Sequence, residues 1–105
     1  LISERQRHTG MVIGICRLEL HLPENGSLKG KRKVIKSIIA RVRDKFNVSI
    51  GEVDGHDLWQ RAQLGIAAVG NDRRVVNSAL DKIADFIESL GLAEVLEIKI
   101  EIINL

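Results

Sequence analysis

Residues 27–46 read SLKGKRKVIKSIIARVRDKF. Leu28, Ile35, Ile38, Ile39, Val42 and Phe46 recur there at helical spacing and mark one apolar stripe. Ser27 is placed to cap the start by accepting a bond from a free backbone N–H. At about 100° per residue, Lys29, Arg32, Lys33, Lys36 and Arg43 gather on another side. The segment carries eight of the chain's sixteen lysines and arginines. It is therefore a core element and a positive surface at once, and the chain on either side of it reads as a sheet.

Upstream, Met11 to Leu22 alternates. Val12, Gly14, Cys16, Leu18, Leu20 and Leu22 fall on one side, and Ile13, Ile15, Arg17, Glu19 and His21 on the other. A period of two is the mark of a strand packed on one face and open on the other. Pro23 ends the strand by removing a ladder donor, and Asn25-Gly26 supplies a turn. The first ten residues show neither pattern; they are expected to be a leader or non-native extension, with a native basic arm as the alternative.

Downstream, Val48, Ile50 and Val53 predict a second strand with a bulge near Glu52, where the apolar positions slip. Asp54-Gly55-His56-Asp57 is a turn. Arg61 to Gly70 alternates again, and two strands this close in sequence form an antiparallel hairpin. Asn71-Asp72 offers a cap for a second helix. Its core stripe is Val76, Ala79, Leu80, Ile83, Ile87 and Leu90, its outer side carries Asp81, Asp85 and Glu88, and Gly91 stops it. The last strand runs from Glu94 to Ile103, with Leu96, Ile98, Ile100 and Ile102 expected inward and Glu97, Lys99 and Glu101 outward. The order strand, helix, strand, strand, helix, strand predicts an α+β, ferredoxin-like βαββαβ two-layer sandwich over residues 11–105. Both helices are expected on one face of an antiparallel sheet of order 4-1-3-2.

Composition narrows the class of function. At 105 residues the chain suits one domain with one core. Its net charge is only +2, so the basic helix is a local feature. A lone cysteine, Cys16, forms no internal disulfide and fits a reducing cytoplasm. No apolar run approaches a membrane span. There is no Gly-rich phosphate loop, nucleophile elbow or His pair at metal spacing; no enzyme activity and no cofactor are expected. Cys16 alternates with core residues and reads as a small buried hydrophobe.

Three constellations remain. The basic stripe of helix 1 suits a phosphate backbone, an acidic protein partner, or simply a solvated face. The bare sheet face holds no Phe, Tyr or Trp at the outward positions of strands 1 and 3, which all but excludes base stacking of the RNA-recognition-module kind there. Its mixed charges, with Ile13, Ile15 and Val69, suit pairing with a second copy. The third is Val53 to Ala62, holding the chain's one tryptophan. As a metal site, Asp54, His56 and Asp57 would need another ligand such as His21. As a binding spot, Trp59 and Arg61 are hot-spot residue types. As structure, the favoured reading, Trp59 closes one end of the core while Asp57 pairs with Arg61 or caps the turn. Lys31 falls near the apolar side of helix 1. Its amine is expected to snorkel to water, with an anion near the helix start as the sharper alternative.

The runs Leu18-Glu19-Leu20-His21-Leu22-Pro23, Ser27-Leu28-Lys29-Gly30-Lys31-Arg32, Phe46-Asn47-Val48-Ser49 and Asp57-Leu58-Trp59-Gln60-Arg61-Ala62 resemble the YlxP-like family of small bacterial proteins of uncharacterised function. The resemblance covers nearly everything from Met11 onward; Gly30 departs from the charged residue expected there. It implies a ferredoxin-like fold. Members are often encoded near translation-initiation and ribosome-maturation factors, an association that favours an RNA- or ribosome-linked role without showing a mechanism. The matching positions make Ser27, Lys29, Lys31, Arg32, Asp57, Trp59, Gln60 and Arg61 candidate functional residues, beside Lys33, Lys36 and Arg43 of the stripe. The expected partner is structured RNA or a ribosomal particle. The alternative is a self-associating or partner-binding domain without nucleic-acid affinity.

Overall fold

The computed structural model describes residues 10–23 and 26–105. The proposed leader lies outside these residues except for Gly10, as does Asn25 of the first turn. The elements are β1 (Val12–His21), α1 (Leu28–Lys45), β2 (Ser49–Asp54), β3 (Arg61–Gly70), α2 (Arg73–Ser89) and β4 (Glu94–Asn104). Ser27 starts α1 by accepting the Gly30 N–H at 3.0 Å. The helix ends one residue before Phe46, whose extended backbone makes it the C-cap. Asp72 caps α2 by accepting the N–H groups of Arg74 and Val75 at 2.8 and 3.2 Å. Gly91, with φ 68°, takes the left-handed conformation that ends α2.

All strand pairs are antiparallel, in the order β2-β3-β1-β4, which is 4-1-3-2 read from the β4 edge. One core lies between the sheet and the two helices. It joins Ile35, Ile38 and Val42 of α1 to Val76, Leu80, Ile83 and Ile87 of α2 and to the even-numbered residues of β1. Phe46 and Phe86 meet edge to face, 5.6 Å between centroids, and tie the end of α1 to α2. The Lys45 ammonium sits 4.5 Å from the Phe86 ring centre. The opposite sheet face is bare.

Two bulges revise the expected pattern of the edge strands. In β4 the register shifts opposite Glu19 and Leu20, so that Val95 pairs with Leu20. Val95 therefore packs against the core, and Leu96, expected inward, is 47% exposed. In β2 the shift falls between Glu52 and Asp54. The expected slip is present, but its effect is reversed. Glu52 pairs with Leu64 and faces the helix layer, while Val53 lies on the bare face against Gly65. A Cβ on Gly65 would stand 2.8 Å from a Val53 methyl, so the glycine makes room for this placement.

Candidate functional site

The inward turn of Glu52 explains the misplaced lysine of α1. Lys31 is 1% exposed, and its Nζ lies 2.9 Å from Glu52 Oε2. The same ammonium donates to the carbonyl oxygen of Gly55. The expectation of a snorkelling amine is therefore corrected: the group is sealed inside the fold, where only a close carboxylate and carbonyl compensate its desolvation. Glu52 Oε2 is itself shielded from solvent and makes no well-aligned hydrogen bond; the ammonium's charge is what holds it. Two opposite charges at core-facing positions were the sequence signal for this pair. Lys31 is visible there, but Glu52 is hidden, because the apolar pattern of the strand points Val53 inward instead.

This buried pair fixes the loop between β2 and β3 to the first turns of α1. Within the loop, Asp54 Oδ1 accepts the Gly55 N–H at 2.7 Å. The Leu58 N–H donates to the Gly55 carbonyl at 3.0 Å, closing a turn in which Gly55 has φ 79°. The far end of the loop is tied to the end of β1: Leu22 N–H donates to the Gln60 carbonyl at 2.8 Å, and Gln60 Nε2 reaches the Pro23 carbonyl at 3.5 Å. The two motif segments, Ser27–Arg32 and Asp57–Arg61, thus lie at the same end of the fold, each tied to the chain beside the other: Lys31 to Gly55, and Gln60 to Leu22 and Pro23.

What this loop displays differs from the favoured reading. Trp59 does not close the core; it is 55% exposed, and Leu58 beside it is 53% exposed. The turn closed by Gly55 directs both side chains away from the core, which Leu20, Leu22, Ala62 and Leu64 already fill. Nor does Asp57 hold Arg61, whose guanidinium lies 3.4 Å from Glu19 on the bare face. Glu19 also accepts from Gln63 at 3.3 Å. His21 lies 3.6 Å from Glu94. Among the described residues, no three or more His, Cys, Asp or Glu side chains are grouped to hold a metal ion.

The basic stripe is as expected on its outer side. Lys29, Arg32, Lys33 and Lys36 are all exposed, together with Arg41 and Lys45. Among the described residues, no ion pair joins these cations to Asp81, Asp85 or Glu88 of α2. Arg43 is committed differently, since it donates to the Ile50 carbonyl of edge strand β2 at 3.1 Å. Of the candidate residues, Ser27 and Lys31 are thus explained by the fold, Arg43 in part, and Gln60 and Arg61 by loop and sheet contacts. Lys29, Arg32, Lys33, Lys36 and Trp59 present their side chains outward, as does Asp57.

The bare face has its own pattern. A shallow trough of about 550 Å³ crosses it, floored by Gly51, Gly65 and Ala67 and flanked by Ile15, Val53 and Lys99. Along β1 and β4 a cationic row, Arg17 beside Lys99, lies next to an anionic row, Glu19 beside Glu97. Cys16 is buried under this face, and burial, with a smaller contribution from Asp81, pushes its thiol up to about 11. Its position and chemistry fit a packing residue. No helix among the described residues is long and apolar enough to cross a membrane.

Comparison with known proteins agrees with the resemblance seen in the sequence. The chain is 45% identical over 78 residues to the uncharacterized protein YlxP of Bacillus subtilis (strain 168), a match covering 74% of this chain and 85% of that protein. Among solved structures, it is similar to the de novo designed protein Foldit4, at 14% identity and a TM-score of 0.48, over 89% of this chain and 96% of that one. It is also similar to the structural-genomics protein YJCS, at 10% identity and a TM-score of 0.45, over 85% and 96% of the two chains. Residues 13–100 match the family described as "Protein of unknown function (DUF503)", and with the relationship to YlxP this places the chain in that family.

Proposed function

We propose that this chain is a non-enzymatic binding module for structured RNA, free or within a ribosomal particle, and that α1 is its contact surface. The observation that carries this reading is the exposure of Lys29, Arg32, Lys33 and Lys36 on one face of a single helix without a carboxylate partner among the described residues. Such a row neutralises successive phosphates and releases their counterions, so affinity should fall steeply with salt. The test is to measure RNA affinity from low to moderate salt for the wild type and for Lys29→Gln, Arg32→Gln and Lys36→Gln combined. The combined variant is expected to bind all RNAs more weakly and to lower the slope of log affinity against log salt by about 2 to 3. Unchanged affinity and slope would remove the reading.

A second reading is self-association through the bare sheet face. Its specific support is the pair of adjacent rows of opposite charge, which a two-fold axis running between them would set against each other, Arg17 over Glu19 and Lys99 over Glu97. Exposed Ile15, Val53, Val69 and Ile103 lie on the same face. Neither surface needs the other, because the sheet face and the outer side of α1 point in opposite directions.

A further inference from the structure

We infer that Trp59 is a stacking platform for an unpaired nucleotide of the RNA whose phosphates lie along α1. The inference rests on the reading of α1 given above and names the feature of the RNA that would be recognised. A large aromatic ring more than half exposed is costly to leave in water, and it marks a contact site more often than a packing residue. Here the loop that displays it is firmly held. Lys31 clamps Gly55 from α1, Glu52 locks Lys31, and Leu22 and Pro23 bind Gln60. An aromatic side chain on a fastened loop loses little further freedom when it binds, which is the condition for an effective platform. The clamp also fixes the ring's neighbourhood. The lysine that holds the loop lies between Lys29 and Arg32, the first cations of the exposed row. The start of that row and the Trp59 loop lie at the same end of the fold, where β1 finishes and β3 begins, which sets the path proposed for the backbone.

The chemistry of the two parts is complementary. Cations read the phosphate backbone and do not distinguish sequences, whereas an aromatic ring offers a face to any base that has left its stack. A fully paired helix hides its bases, and the deep, narrow major groove of A-form RNA admits no side chain; loops and bulges present theirs. The arrangement therefore selects a duplex interrupted by unpaired nucleotides over a continuous one. The outward residues of β1 and β3 include no Phe, Tyr or Trp, so the loop supplies the large aromatic face that the sheet lacks.

Trp59 is the chain's one tryptophan, so its fluorescence reports on this position alone. The experiment titrates the protein at low salt with an RNA duplex carrying a three-nucleotide bulge and with the same duplex without it, reading both affinity and tryptophan emission. The bulged duplex is expected to bind about tenfold more tightly and to quench the emission. Trp59→Ala is expected to abolish the preference, and Trp59→Phe to keep most of it. Equal binding of the two duplexes without quenching would overturn the inference while leaving the role of α1 intact. A bulge preference that survives Trp59→Ala without quenching in the wild type would overturn it as well. Binding of neither duplex would remove the reading of α1 itself. The wild-type emission decides the question even if Trp59→Ala alters the loop.

Discussion

At the scale of single residues, Lys31 is the most informative. A charge buried to this degree persists because its partner lies at 2.9 Å, and removing one member strands the other. Lys31→Met should destabilise the protein by about 3 kcal/mol, because Glu52 would be left facing the helix layer without compensation. Lys31→Met combined with Glu52→Leu should cost less than the sum of the two single changes, as urea unfolding of all four proteins would show. Cys16 makes a separate prediction. Its thiol is raised from 9.0 to about 11, by burial first and by Asp81 second. The folded state thus holds its proton more tightly than the unfolded chain, so the contribution is complete below pH 9. It is lost as the pH rises through about 11, a change on the order of 2 kcal/mol. Urea midpoints across that range should fall more steeply for the wild type than for Cys16→Val.

At the scale of elements, the close approach of α2 to β1 sets a firm requirement. A Cβ on Gly14 would come within 2.4 Å of Val76 Cγ1 and 2.8 Å of Leu80 Cδ1. Gly14→Ala should therefore push α2 away from the sheet and cost about 1 to 3 kcal/mol. Gly51, where an added Cβ meets nothing within 4 Å, is the control: Gly51→Ala should shift stability by no more than about 0.5 kcal/mol. Thermal unfolding of the two variants separates overpacking from the general effect of replacing glycine in a strand. The two bulges belong to this scale too. One turns Val95 inward in place of Leu96, and the other sets Val53 over Gly65. Both are at sheet edges, where a ladder can gain a residue without disturbing two neighbours.

At the scale of the whole molecule, one layer of helices leaves one sheet face uncovered. Val69, 68% exposed, stands at one end of it, and the rows of opposite charge cross its middle. Three strands of ten or eleven residues at about 3.3 Å per residue and 4.8 Å spacing, with the short β2 beside them, offer roughly 500–600 Å² per copy. Two such faces together reach the lower range of specific interfaces. Self-association therefore predicts a dimer at micromolar concentration in sedimentation equilibrium. Arg17→Glu should dissociate it, and Arg17→Glu with Glu19→Arg should restore it. A monomer at every concentration would exclude this use of the face.

The sequence by itself determined the order of the elements, the antiparallel hairpin, both helix caps and the cationic side of α1, because these depend on periodicity and on backbone chemistry local to a few residues. It also showed Lys31 to be out of place on its helix. Only the tertiary structure decided where that ammonium goes, because its partner is twenty-one positions away, turned inward by a bulge whose direction depends on strand pairing. The same holds for Trp59. An aromatic residue in a turn can fold back over a core or stand clear of it, and the choice fell to a core already filled by residues of β1, α1, β2, β3 and α2.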